Sequence, residues 1–174
     1  MGEEKQLNIF DYAISMEKQG ITFYTRISDK LQDRDLKEMF QKLAREEANH
    51  IETFQKLKEK AEKKGGIAPF VIEGRDIDDY VQSLLAEGIF PSQEQLEEQI
   101  QSVDSPATAC ALAMEAEKNA ILLYTELILY SQDKDQRKAL EKILKEEKSH
   151  LVMLKQLRAN HDPKYAAMTF GRFF

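Results

Sequence analysis

Residues 45–50 read REEANH, and residues 145–150 read KEEKSH. Each stretch sets a glutamate three residues ahead of a histidine, Glu47 before His50 and Glu147 before His150. Three residues is close to one helical turn, so on a helix the two side chains share a face. A single pair of this kind on a Lys/Glu-rich helix is ordinarily part of a solvated surface. Two pairs one hundred positions apart ask for a common cause.

Sliding the chain on itself by 100 positions supplies that cause. Without a gap, Ala13, Glu17, Lys18, Ile21, Tyr24 and Thr25 meet identical residues. So do Gln32, Asp33, Asp35, Lys42, Glu46, Glu47, His50 and Leu57, while Phe40 meets Leu140 and Leu43 meets Ile143. Residues 8–63 and 105–160 therefore read as one structural unit used twice.

Within each unit the seam steps by three and four, the helical period. Leu36, Phe40, Leu43, Glu47, His50, Phe54 and Leu57 form one series, matched by Leu140, Ile143, Glu147, His150, Leu154 and Leu157. Phe10, Ala13, Glu17, Gly20, Tyr24, Ile27 and Leu31 form another, matched by Cys110, Ala113, Glu117, Ala120, Tyr124 and Leu127. The pattern predicts an all-α four-helix bundle made of two helical hairpins. Polar breaks at SDKLQDRD and LYSQDKDQ mark the hairpin turns, with Asp35 and Asp135 as the expected N-caps. Ser105 followed by Pro106 predicts another helix start, and Gly65-Gly66 ends the second helix. Residues 64–104 are too long for a turn and predict a crossover along the bundle. It would carry short helices in DIDDYVQSLLAEG and again from Ser92. Residues 1–160 thus form one domain, with 161–174 a C-terminal tail in which His161 reads as a surface residue.

The seams hold six residues foreign to an apolar core: Glu17, Glu47, His50, Glu117, Glu147 and His150. Glu17 and Glu47 stand about equally far from the first turn, as Glu117 and Glu147 do from the second. At about 1.5 Å per residue each pair lies level on antiparallel neighbours. Four carboxylates buried together would repel and lose hydration, at several kcal/mol each. Two divalent cations against four carboxylates and two neutral imidazoles bring the formal charge to zero. Oxygen and imidazole donors suit iron or manganese, and no CxxC pair offers a thiolate site. Two ions about 4 Å apart would share bridging carboxylates, naturally Glu47 and Glu147, leaving Glu17 and Glu117 terminal. Glu46, Glu146 and Glu115 read as solvated residues off the seam.

The elements "ISMEKQ" around Glu17, "EANH" (47–50), "EAEKNA" around Glu117 and "EKSH" (147–150) resemble the rubrerythrin branch of the ferritin-like superfamily over residues 8–160. The resemblance implies a non-haem diiron centre that reacts with hydrogen peroxide or dioxygen in a cytoplasmic homodimer. Two departures stand out. Rubrerythrins usually carry a rubredoxin-like domain with paired CxxC motifs, whereas the tail HDPKYAAMTFGRFF has no cysteine, so a separate donor protein such as a rubredoxin is expected. Rubrerythrins also place a further glutamate three residues after the third-helix ligand, where this chain has Ala120. Gly20 and Ala120 read either as helix-packing residues or as room beside the metals for a peroxide. Tyr24 and Tyr124 lie two turns beyond Glu17 and Glu117, and read either as core aromatics or as donors orienting a ligand carboxylate.

Other readings of the same donors are a ferroxidase, a dimanganese catalase and a bundle with structural metals. A net charge of −6 argues against nucleic acid, since there is no surplus of Lys or Arg to neutralise phosphates. No run is long and apolar enough for a membrane span and no signal peptide is evident, so a cytoplasmic protein is expected. The single Cys110, among alanines, reads as a small core residue. Phe170, Phe173 and Phe174 would pack on the bundle or dock on a partner.

Overall fold

The computed structural model describes residues 9–63, 83, 90, 93–131 and 133–171, and among these the regular structure is entirely helical. Helix α1 spans Ile9–Lys30, α2 Arg34–Lys63, α3 Gln93–Ser102, α4 Pro106–Tyr130, α5 Lys134–His161 and α6 Pro163–Phe170. The two repeated units are hairpins, α1 against α2 and α4 against α5, and α2 meets α5 across the bundle. Contacts between the hairpins are exchanged in pairs. Tyr24 faces Glu117 while Tyr124 faces Glu17, and His50 faces Glu146 while His150 faces Glu46. Such exchange means that α1 runs antiparallel to α4 and α2 antiparallel to α5. The second hairpin therefore enters from the opposite end, as a long crossover demands.

The seam residues are the core. Phe23, Tyr24, Ile27, Phe40, Leu43 and Phe54 are buried from the first hairpin, and Leu123, Tyr124, Leu127, Ile143 and Leu154 from the second. Cys110 is buried among them, and burial pushes its thiol up to about 11, so it is an inert core residue. No helix among the described residues is long and apolar enough to cross a membrane.

The helix starts correct one expectation. Asp33 and Asp133, not Asp35 and Asp135, are the capping residues. Asp33 Oδ1 accepts from the Leu36 amide at 2.8 Å, and Asp133 Oδ1 accepts from the Asp135 and Gln136 amides at 2.9 Å each. A cap residue needs extended backbone so that its side chain can turn back on the first amides, and Asp133 has φ −81° and ψ 127°. Asp35 and Asp135 lie inside the first turns, where their charge still complements the helix dipole. Ser105 caps α4 as expected, accepting from the Thr108 amide, with Pro106 in the first turn.

The crossover helix α3 lies on α1. Leu96 and Ile100 are buried, and the Arg26 guanidinium holds both oxygens of the Glu97 carboxylate at 2.9 and 2.8 Å. Of the expected helix over 76–88 only Ser83 is among the described residues, and it is helical and exposed, while the Ser92 cap and the Gly65-Gly66 stop lie outside them. The tail starts as α6, capped by Asp162, with Tyr165 under the Arg158 guanidinium at 4.2 Å. His161 is exposed at the end of α5. Phe173 and Phe174 lie outside the described residues, as does the side chain of Phe170.

Candidate metal centre

One residue from α1, two from α2, one from α4 and two from α5 bring their side chains to a single level inside the bundle. They are Glu17, Glu47, His50, Glu117, Glu147 and His150, and none is more than 5% exposed. Ligand atoms of Glu17, Glu47, His50 and Glu147 lie within 4.8 Å of one another, and so do those of Glu117, Glu147 and His150. All six sequence-derived candidates are thus brought together.

Both imidazoles turn Nδ1 toward the carboxylates. His50 Nδ1 is 3.1 Å from Glu47 Oε2, 3.2 Å from Glu147 Oε1 and 3.6 Å from Glu17 Oε1. His150 Nδ1 is 3.0 Å from Glu147 Oε2 and 3.6 Å from Glu117 Oε1. The two oxygens of Glu147 therefore serve different histidines, the posture of a carboxylate that spans two sites. Glu47 falls in the first group and Glu147 in both.

The tyrosines cross between hairpins. Tyr24 Oη donates to Glu117 Oε1 at 2.7 Å, and Tyr124 Oη donates to Glu17 Oε1. Both rings are buried, and burial together with the nearby carboxylates pushes both phenols well above their usual range, so they remain donors. Each fixes the orientation of a carboxylate on the opposite hairpin.

Glu46 and Glu146 depart from the sequence reading. They are not merely solvated: Glu146 Oε2 lies 3.1 Å from His50 Nε2, and Glu46 Oε2 lies 3.1 Å from His150 Nε2. One residue before a seam glutamate lies on the flank of its own hairpin, and that flank faces the other one. The signal was present in the sequence, since Glu46 and Glu146 are themselves a repeat match. At His50, where the contact is a hydrogen bond, the carboxylate on Nε2 places the proton there and leaves the Nδ1 lone pair free for a cation. Glu115 does lie on the surface, paired with Lys118.

The directions in which the cluster's groups are shifted point to a pocket that favours positive charge. Burial, then Glu17 and Glu147, raise Glu47 well above the carboxylate range. Burial and Glu147 raise Glu117 to about 8, against the opposing pull of His150. Burial disfavours imidazolium, yet hydrogen bonds to Glu117 and Glu147 outweigh it and raise His150 to about 10. His50 is raised in the same way by Glu147, Glu17 and Glu47. Burial likewise opposes ionisation of Glu147, but the two histidines outweigh it and hold that carboxyl at about 2. Protons gather wherever a cation would otherwise neutralise the charge. Six oxygen and imidazole donors without a thiolate fit two hard or borderline divalent ions.

The chain matches the family model of rubrerythrin over residues 8–158. It belongs to the rubrerythrin family. Among solved structures, a ferritin-like diiron-carboxylate protein of Thermotoga maritima is similar, with 26% identity and a TM-score of 0.66, covering 86% of this chain and 91% of that one. Comparison with curated proteins gives no significant match. Ala120, one turn past Glu117 on the same helix, is buried.

Glu146→Ala should weaken metal binding about 10- to 100-fold through loss of the His50 Nε2 partner. It should also lower the thermal stability of the metal-free chain, since it leaves the buried Nε2 of His50 without its acceptor. Competition against a chromophoric chelator measures the first effect and calorimetry the second. An unaltered affinity would remove Glu146 from the support of the site.

Proposed function

We propose that this chain is a diiron oxidoreductase that reduces hydrogen peroxide or dioxygen with electrons from a separate donor protein such as a rubredoxin, in the cytoplasm and as a homodimer. The observation that carries this reading is the Glu147 carboxylate, with one oxygen toward His50 and the other toward His150 inside a buried group of four glutamates. Glu17, Glu47, His50 and Glu147 would hold one ion, and Glu117, Glu147 and His150 the other. When bound, two ferrous ions supply one electron each, enough with two protons to turn hydrogen peroxide into two waters.

The protein's part is positional and electrostatic. Burial keeps bulk water from the donors, and the phenols of Tyr24 and Tyr124 fix one oxygen each of Glu117 and Glu17. Glu146 hydrogen-bonds the outer nitrogen of His50 and so holds that ring in one tautomer, while Glu46 places its charge 3.1 Å from the outer nitrogen of His150. With Ala120 in place of an additional carboxylate, the donor set is nearly symmetric. Ala120 itself would offer no ligand atom to a bound ion.

Rapid mixing of anaerobic protein loaded with two Fe(II) against hydrogen peroxide should generate a ferric absorbance within the mixing experiment, reversed by a reduced rubredoxin. No spectral change sinks the proposal. Sustained turnover on Fe(II) and dioxygen alone, with Fe(III) released, would make the chain a ferroxidase instead.

A further inference from the structure

Gly20 follows Glu17 by three residues on α1 and so lies on the helix face that carries the centre. Its missing side chain has a consequence that only the fold exposes. A Cβ built at Gly20 would stand 2.7 Å from Cζ and 2.9 Å from Cε2 of Phe90, and 3.2 Å from Cγ of Glu47. The Phe90 ring therefore sits in the notch of the absent methyl group, a notch that the Glu47 stem also borders. Phe90 comes from the crossover and is 6% exposed. Its ring also meets Phe23 at 5.6 Å and stands edge-on to Tyr24 at 5.9 Å and 89°. Tyr24 is the residue that donates to Glu117. One side chain thus fills the space over Gly20, one turn from Glu17, and packs on the ring that orients Glu117. The second hairpin has Ala120 at the corresponding position, so the notch exists on the first hairpin alone.

We propose that Phe90, seated in the Gly20 notch, is a specificity-determining residue: it walls the first-hairpin side of the centre and restricts access to reactants as small as hydrogen peroxide or dioxygen. A bulky organic hydroperoxide would have to displace a ring held by three neighbours. The inference rests on the peroxide-reducing reading for its substrate class, but the wall itself does not depend on that reading.

Two measurements separate the possibilities. In a thermal double-mutant cycle, Gly20→Ala should lower Tm by several degrees in the natural chain but be neutral or stabilising beside Phe90→Ala, where the notch is empty and alanine is the better helix former. In Fe(II)-loaded protein, Phe90→Ala should raise the second-order rate of iron removal by phenanthroline. It should also raise the ratio of the oxidation rate by cumene hydroperoxide to that by hydrogen peroxide at least about tenfold. Phe90→Leu, which keeps the site apolar, should do the same more weakly and guards against a misfolded alanine variant. Additive Tm shifts, or phenanthroline removal unaltered in both variants, would overturn the proposal. Failure of the natural chain to react with any peroxide would refute the peroxide reading and the substrate class with it, while iron removal would still report on the wall.

Discussion

Glu147→Ala should empty the centre of both ions, where Glu117→Ala or Glu17→Ala should each empty it of one. The difference follows from the two oxygens of Glu147, one 3.2 Å from His50 Nδ1 and the other 3.0 Å from His150 Nδ1. Glu147 alone belongs to both donor groups, so its removal takes a negative ligand from each. The remaining donors also lose the anion that counters two closely placed cations, and the repulsion between the ions is then less well screened. Affinity for both ions should fall by more than the roughly 10- to 100-fold typical of an outer-sphere change. Elemental analysis of protein prepared without chelator should give close to two ions per natural chain and close to none for Glu147→Ala, with helical circular dichroism retained. If Glu147→Ala holds one ion, as Glu117→Ala is expected to do, Glu147 is not shared.

The metal-free protein should lose stability as pH rises from about 6 to about 10, whereas metal-loaded protein should gain it at the lower end of that range. Glu117 titrates at about 8 in the fold against an ordinary 4.5, so between those values the folded chain holds a proton that the unfolded chain has released. His150, at about 10 against 6.5, adds a second such proton over a higher window. Wherever the folded state binds more protons, stability falls with rising pH. Glu147 has the opposite sign, because its folded value of about 2 lies below the ordinary one, and its contribution is lost only in acid. Metal ions must displace these protons, so loading should acidify a weakly buffered solution and grow tighter from pH 6 to 8. Calorimetric Tm values for metal-free and reloaded protein across this range are the check. A metal-free Tm that is flat or rises toward pH 9 would contradict the assignment of protons inside the cluster.

Much of the centre was legible because the repeat reports on itself. His50 alone is an unremarkable histidine, but His50 and His150 at matched positions, each one turn past a glutamate, identify a shared interior level. Helical periodicity then fixes which side of each helix looks inward. What escaped depends on contacts between segments whose relative placement periodicity does not describe. Glu46 and Glu146 point off the seam of their own hairpin, and only the antiparallel packing of α2 on α5 brings them to the opposite histidines. Phe90 is seventy positions from Gly20, with nothing in the local sequence to join them. The cap positions were misplaced by two residues because DRD and DKD each offer two aspartates, and local backbone geometry chooses between them.

The reciprocal contacts also carry a historical implication. A half-length ancestor with one tyrosine, two glutamates on the inner face and one histidine could not have completed this centre alone, but two copies related by a twofold axis could, each lending its phenol to the other. Joining the copies in tandem would make assembly independent of concentration and free each half to drift. The glycine that now admits a phenylalanine on one side only is then a mark of that drift, a lopsidedness unavailable to a pair of identical subunits.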